Sequence, residues 1–261
     1  MTHPHETPAS TAPLTSDNIA GPNYSLWRLL LFAAAAGLAL AAYALWRPPA
    51  PMLWLKTTVH LGRDTNKVAL TLDDSPHPLT TPLLLASLQH AEVKATFFSV
   101  GENLKFYPEL AHRIVAEGHA LGNHSQPHHN LTTVQPRDFP KHIDAGFQTI
   151  NAVEKAAGSK AHTTLFRPPG GGLDRAAMSY LYDRDYTLAW WSNNVGDWTS
   201  PPAWKIADGV KARLRPGDVL LLHDGGTGTP QAIGAIAKDA RKRGLEFVLM
   251  DGDGQRISDD R

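Results

Sequence analysis

The sequence has no cysteine among its 261 residues. Disulfide staples and thiolate metal ligands are therefore excluded, and any metal site must be built from histidines and carboxylates. Absence of cysteine is compatible with an oxidising compartment and does not prove one. The chain also lacks a prevailing charge, since 25 Lys and Arg balance 25 Asp and Glu. Lys and Arg never cluster beyond a few residues, so nothing points to a nucleic-acid groove or a polybasic membrane patch. No internal repeat is visible. What the chain does have is 42% hydrophobic residues, enough for one sizeable core, and 13 histidines. Histidine is the commonest neutral metal ligand.

The chain opens polar. Residues 1–25 are rich in Pro, Thr, Ser and Ala without apolar periodicity, and a disordered tail is expected there. Leu29 to Trp46 then runs for eighteen residues without a charge. That length is near what a helix needs to cross a bilayer, and Trp27, Tyr43 and Trp46 sit at its ends as interfacial aromatics would. Residues 26–47 are expected to form a transmembrane signal anchor. A cleaved signal peptide, with Ala42-Tyr43-Ala44 before the cut, and a buried core helix are the competing readings. One Arg on each flank leaves orientation undecided. The Pro-rich stretch from Arg47 to Met52 begins a linker over 48–66.

From Lys67 onward apolar runs alternate with helical segments, the pattern of a parallel α/β domain. Strands are expected at Lys67 to Asp74, Ala95 to Val100, Ala120 to Gly122, Thr164 to Phe166, Leu188 to Trp191, Val219 to Leu222 and Phe247 to Met250. Helices are marked by their punctuation. Thr81-Pro82 caps and opens one reaching about His90, and Pro108 opens another that Gly118 closes. Pro140 opens one closed by Gly158, and Pro230 starts the last, which Gly244 stops. Six to seven β-α units point to a small barrel rather than an open sheet. The tail 251–261 is Gly- and Asp-rich and reads as polar and solvated.

The stretch with most chemistry is the first strand, which ends on Asp73-Asp74-Ser75-Pro76. Catalytic groups gather at the carboxyl ends of parallel strands. Neighbouring strand residues point to opposite faces, so the two carboxylates should do different jobs. Next come His124 and His128, four apart, which would share one face if Ser125 capped a helical turn with Pro127 inside it. Two such histidines plus Asp73 or Asp74 make a three-ligand site with a position open for water. By themselves, two histidines at this spacing are more often structural than metal-bound. His129 lacks the right offset.

Arg167-Pro168-Pro169-Gly170-Gly171-Gly172 follows a strand, and Arg167 could hold a carboxylate by two parallel contacts. Asp197-Trp198 follows an aromatic strand, and a buried run ends at His223. An Asp that fixes the tautomer and charge of a His is a recurrent acid/base arrangement.

Thr71-Leu72-Asp73-Asp74, His124-Ser125-x-x-His128, Arg167-Pro168-Pro169, Asp197-Trp198 and Leu221-x-His223 together resemble the ordered motifs of the polysaccharide deacetylases. This family is also known as the NodB homology domain or carbohydrate esterase family four. Lys94-Ala95-Thr96-Phe97-Phe98 and the stretch from Glu117 to His124 look like the same family, and the resemblance spans roughly Lys67 to Met250. It implies an α/β fold, a distorted (β/α) barrel, with a divalent metal, first of all zinc, with cobalt, nickel or manganese as alternatives. By position, Asp74, His124 and His128 resemble the metal ligands and Asp73 the general base. Arg167 would steady that base, His223 would be the general acid, and Asp197 would tune His223. Trp198 and Leu221 match positions lining the acetyl pocket, and the backbone N–H near Gly170 would meet the oxyanion.

This chain departs from the resemblance at three places. Many relatives have an aromatic residue at Gly170 and glycine at Ser75, which alters one wall of the substrate groove. Leu72 in place of the usual Phe is a tolerable core change.

The resulting expectation is a monomeric, metal-dependent hydrolase of acetamide groups on an N-acetylated cell-envelope glycan. It would be tethered to the membrane with its catalytic domain outside the cytoplasm, or secreted if the N-terminal segment is cleaved. The rival enzyme readings are an O-acetyl esterase on a xylan-like glycan and a non-sugar amidase. A non-catalytic glycan-binding domain is the rival from another class, and it would have no need of both a base and an acid.

Overall fold

A computed structural model of the chain describes residues 28–38, 55, 57–58, 61–62 and 65–250. The expected tails at 1–25 and 251–261 lie outside the described residues. The chain divides into two units, Met1–Arg47 and Pro48–Arg261.

In the first unit a helix, α1, covers 28–38, and its apolar side chains, including Leu29, Leu31 and Phe32, are exposed. Among the described residues no helix is long and apolar enough to cross a membrane. The remainder of the expected 26–47 segment lies outside the described residues.

The second unit is built on a parallel sheet. Its strands are β1 (Thr57–Thr58), β2 (Lys67–Ser75), β3 (Thr96–Ser99), β4 (Ala120–Asn123), β5 (Leu165–Phe166), β6 (Thr187–Ala189), β7 (Asn193–Asn194), β8 (Val219–His223) and β9 (Glu246–Val248). Their order is β1-β6-β5-β4-β3-β2-β8-β7, and β9 pairs with β2. Every pairing is parallel. Ala69 pairs with both Val219 and Val248, so β9 occupies the first part of the edge that β3 takes over at Thr71. That stagger is the shear a curling sheet requires. Among the described residues β1 and β7 do not pair, so the barrel is open and its curl incomplete.

The expected linker over 48–66 is therefore not wholly a linker. Thr57 and Thr58 pair with Leu188 and Ala189, and the Leu61 N–H donates to the Gly217 carbonyl.

Helices α2 (Thr81–His90), α3 (Gly101–Phe106), α4 (Pro108–Ala116), α5 (Ala145–Ala156), α6 (Arg175–Tyr182), α7 (Ala203–Arg213) and α8 (Thr229–Lys242) connect the strands. Val68, Leu70 and Leu72 of β2 belong to the main core with Leu84, Leu85 and Leu88 of α2 and Ile233, Ile236 and Ala240 of α8. Each such fully buried aliphatic side chain stabilises the fold by about 1.5–3 kcal/mol. Ala69 instead joins an inner cluster with Phe98, Leu165, Ala189 and Val219. Alternation along β2 thus sends even-numbered residues to the helices, while Ala69, Thr71 and Asp73 face the barrel interior.

Several boundaries differ from expectation. Thr81 is the first helical residue of α2, not its cap, and Thr80 and Thr81 both give their hydroxyls to the Asp224 carboxylate. Pro140 opens one wide turn, Pro140–Asp144, before α5 begins. Helices α3, α6 and α7 carry no internal proline or closing glycine to announce them. Asp174 does cap α6, its carboxylate accepting from the Ala177 N–H at 2.8 Å.

Candidate active site and metal centre

The end of β2 is irregular. Asp73 pairs with Phe98 and Ser75 with Ser99, so Asp74 is an extra residue in the strand, with φ +70°. A bulge of this kind re-aims a side chain, and Asp tolerates the left-handed region better than most residues. Strict alternation would have turned Asp74 toward the helices. Instead both carboxylates meet His124, whose Nε2 lies 3.7 Å from Asp73 Oδ2 and 3.5 Å from Asp74 Oδ1. The expectation of opposite faces is corrected, although the two carboxylates keep different neighbours.

His124 and His128 are not on a helix. Ser125 and His128 both have positive φ, 66° and 58°, in a loop after β4. The Ser125 hydroxyl still accepts from the N–H three residues on, at 3.0 Å, but it closes a turn rather than a helix. The imidazoles come together all the same, with ring centres 4.9 Å apart. His128 Nε2 lies 2.9 Å from Asp74 Oδ1. His129 turns away and packs on His142.

Asp74, His124 and His128 each offer one ligand atom, and these lie within 4.8 Å of one another. Asp74 Oδ1 is buried and no hydrogen-bond donor is aligned on it. Its close neighbours are the two imidazole nitrogens, His128 Nε2 at 2.9 Å and His124 Nε2 at 3.5 Å, so a cation meeting this oxygen would be shared with them. His124 Nδ1 lies 2.8 Å from the Arg167 carbonyl, which assigns the proton to Nδ1 and leaves Nε2 free to coordinate. Burial pushes the Asp74 carboxyl up, but His124 and His128 pull it further down and hold it well below the usual carboxylate range. Its partner His128 is held above the ordinary histidine value by that contact. One carboxylate oxygen and two imidazole nitrogens converging, with the Asp74 and His128 side chains partly exposed to solvent, fit a hydrolytic divalent site.

Asp73 has other company. Arg167, fully buried, donates from Nη1 to Asp73 Oδ1 at 2.6 Å and to the Thr71 hydroxyl at 2.8 Å. Nε and Nη2 donate to the Ala189 and Trp190 carbonyls. The contact with Asp73 uses one nitrogen, not the two-pronged fork expected from sequence, because the other donors bind main chain. The guanidinium carbon lies 3.8 Å from the centre of the Phe98 ring, which covers its face.

His223 closes β8 and pairs with Asp73 across the sheet. Its Nδ1 lies 2.9 Å from Asp197 Oδ1, and its N–H donates to Asp197 Oδ2 at 2.7 Å. Asp197 is fully buried, and the Thr229 hydroxyl donates to Oδ2 at 2.8 Å. Burial disfavours the imidazolium, but Asp197, with help from Asp73 and Asp74, outweighs it and raises the His223 pKa above its ordinary value. The exposed Trp198 ring stands edge-on to His223, 5.2 Å away. Leu221 is buried two residues before it on β8. Gly170 is exposed with φ +60°, and a Cβ there would meet nothing within 4 Å. The wall that an aromatic side chain would form is open space.

Some neighbouring residues had no structural role assigned from the sequence. Ser75 is buried and shares a 2.8 Å hydrogen bond with Ser99, tying β2 to β3 beneath the bulge. Asp224 is buried beside His223 and links the loop after β8 to Thr80 and Thr81, and burial raises its pKa. Asn103 donates to the Asp74 carbonyl at 3.0 Å. Ser75 stood out only as a departure from the family pattern, the Asp beside His223 looked like an ordinary turn residue, and Asn103 carried no signal.

A curled parallel sheet with an Asp-His-His cluster at the carboxyl ends of its strands is the architecture of a class of metal-site hydrolases. The chain belongs to the polysaccharide deacetylase family, whose sequence profile matches residues 61–189. It is 32% identical over 188 residues to a peptidoglycan-N-acetylglucosamine deacetylase of Bacillus cereus, covering 70% of this chain and 85% of that one. A chitooligosaccharide deacetylase of Sinorhizobium fredii is 33% identical over 172 residues, covering 66% of this chain and 78% of that one. Among solved structures, a peptidoglycan N-acetylglucosamine deacetylase superposes with a TM-score of 0.71 at 29% identity, covering 78% of this chain and 95% of that one.

Proposed function

We propose that the protein is a hydrolase that removes acetyl groups from the N-acetylglucosamine-type sugars of a cell-envelope glycan, with a divalent metal as cofactor. The observation that carries this reading is the meeting, at adjacent strand ends, of the Asp74-His124-His128 cluster with Asp73 and His223. Membership of the family and its similarity to deacetylases of peptidoglycan and chitooligosaccharides support the substrate class.

Asp74, His124 and His128 would hold the ion, zinc being first choice for this ligand set, and when bound it would polarise the acetamide carbonyl and acidify the attacking water. Asp73 takes the proton from that water. Arg167 pairs with Asp73 Oδ1 and fixes its rotamer, so that Oδ2 faces the His124 side of the site. The tetrahedral oxyanion is met by the backbone N–H near Gly170. An amine is too basic to leave as an anion, so His223 delivers a proton to the sugar nitrogen. Asp197 holds the His223 tautomer, binding Nδ1 and leaving Nε2 for the substrate. Trp198 and Leu221 line the acetyl side, and the open space at Gly170 admits a wider sugar chain.

The same reading makes the protein a monomer anchored through residues 26–47, with the catalytic unit outside the cytoplasm. The support is the uncharged run from Leu29 to Trp46, whose described portion exposes its apolar side chains. Measuring acetate release from peptidoglycan, chitin oligomers and acetylated xylan tests the activity. Release from the two N-acetylated glycans is expected, and release from xylan alone would replace this reading with an O-acetyl esterase.

A further inference from the structure

Helix α3 follows β3 and has only six residues, yet its first turn touches both halves of the proposed metal cluster. The Asn103 side chain donates from Nδ2 to the Asp74 carbonyl at 3.0 Å. The N–H groups of Gly101 and Glu102 donate to the Ser125 and Gln126 carbonyls, at 3.0 and 2.9 Å, inside the loop that carries His124 and His128. A Cβ at Gly101 would lie 2.2 Å from Gln126 Oε1, so any side chain there would have to displace the Gln126 amide. The Val100 N–H also donates to the Ser75 carbonyl, just beyond the bulge.

Asp74 needs such support. It is a non-glycine residue at φ +70°, a conformation that persists only where the surroundings over-determine it. As a bulged residue it stands outside the β2–β3 register, and the next paired residue is Ser75. Its carbonyl is instead held by the Asn103 amide. If that carbonyl were free to rotate, the peptide flanking the bulge could relax and swing the carboxylate away from the two imidazoles.

We infer that Asn103 is a positioning residue for the metal centre: it locks the left-handed bulge at Asp74 while the main chain of the same helical turn holds the histidine loop. Both halves of the cluster are thereby referred to one rigid element, and the ligands stand in place before the ion arrives. The inference rests on reading Asp74, His124 and His128 as metal ligands, and it goes beyond the ligands themselves to a side chain that would not touch the ion. Partners that orient ligands from behind typically change metal affinity by about 10- to 100-fold.

The test compares the full chain with Asn103→Ala and Asn103→Gln, each stripped of metal and titrated with zinc chloride by calorimetry. The melting temperature of each metal-free protein and the visible spectrum of its cobalt(II) form are recorded in parallel. Asn103→Ala is expected to weaken zinc binding by about 10- to 100-fold, to change the cobalt spectrum, and to leave the metal-free melting temperature within a few degrees. Asn103→Gln, which keeps an amide donor, is expected to recover part of the affinity and provides a second folded variant. Unchanged zinc affinity in Asn103→Ala would overturn the inference, as would a loss of affinity matched by a collapse in metal-free stability. Wild-type protein that binds no divalent ion would overturn the metal reading along with it, so the two failures are distinguishable.

Discussion

Arg167 Nη1 lies 2.6 Å from Asp73 Oδ1, and neither side chain is more than 5% exposed. A buried guanidinium with no carboxylate would be a severe liability, and so would a buried carboxylate with no cation. The pair couples the barrel interior to the site, because Arg167 also binds Thr71 and two carbonyls near β6.

Removing this cation should affect stability and activity together. Arg167→Met is expected to destabilise the protein by about 3–5 kcal/mol, as when one partner of a buried ion pair is deleted. Arg167→Lys keeps the charge but lacks the planar fork, so it should restore stability only in part. In both variants acetate release should fall toward the roughly 10²- to 10⁴-fold loss of a disabled general base. Chemical denaturation and single-substrate kinetics measure the two effects. Full activity in Arg167→Met would remove Arg167 from the mechanism.

His119 makes a separate, pH-dependent prediction. It is buried at the start of β4, and its Nδ1 accepts from the Ala95 N–H at 3.1 Å. Burial, helped by nearby Lys94, lowers its pKa to about 3. The unfolded chain takes up this proton as pH falls below about 6.5, whereas the native protein resists until about pH 3. The contribution is therefore intact above pH 6.5 and is lost as pH falls between these values, at up to about 1.4 kcal/mol per pH unit. His119→Asn should flatten the fall in stability between pH 6.5 and 4.5 relative to the parent. Parallel slopes in urea titrations across that range would refute the assignment.

His223 is expected to govern the alkaline side of activity. Its pKa is raised above the ordinary value because Asp197, with help from Asp73 and Asp74, outweighs the effect of burial. A raised acid stays protonated to higher pH, so activity should persist above pH 6.5 and decline only as His223 loses its proton. Asp197→Asn should move that alkaline limb of kcat/KM toward lower pH by roughly 1 to 3 units and lower the plateau. A limb left in place, with only the plateau reduced, would separate Asp197 from the titration of His223.

Much of this architecture could be read beforehand, for identifiable reasons. The strands at Lys67, Thr96 and Val219 are short apolar runs buried on both faces, and such runs stand out in any parallel sheet. Helices opened by Pro82, Pro108 and Pro230 were equally plain. The motifs that resemble the polysaccharide deacetylases named the residues that gather around Asp74.

The arrangement of those residues was not legible. Nothing in Asp73-Asp74-Ser75 distinguishes a bulged strand from a regular one, because the extra residue appears only when β3 fixes the register. His124 and His128 have helical spacing but lie on a loop with two left-handed residues, a shape set by α3 and by the Arg167 carbonyl. Asn103 is similarly silent, since its partner lies 29 residues away in sequence.

The central claim is that adjacent carboxylates divide the work, with Asp74 holding the ion and Asp73 taking the proton. Acetate release and bound metal measured together on Asp73→Asn and His124→Ala test it most directly. Asp73→Asn is expected to keep its metal while releasing almost no acetate, and His124→Ala to lose both. An Asp73→Asn protein that retains most of its activity, or that loses its metal as His124→Ala does, would contradict it.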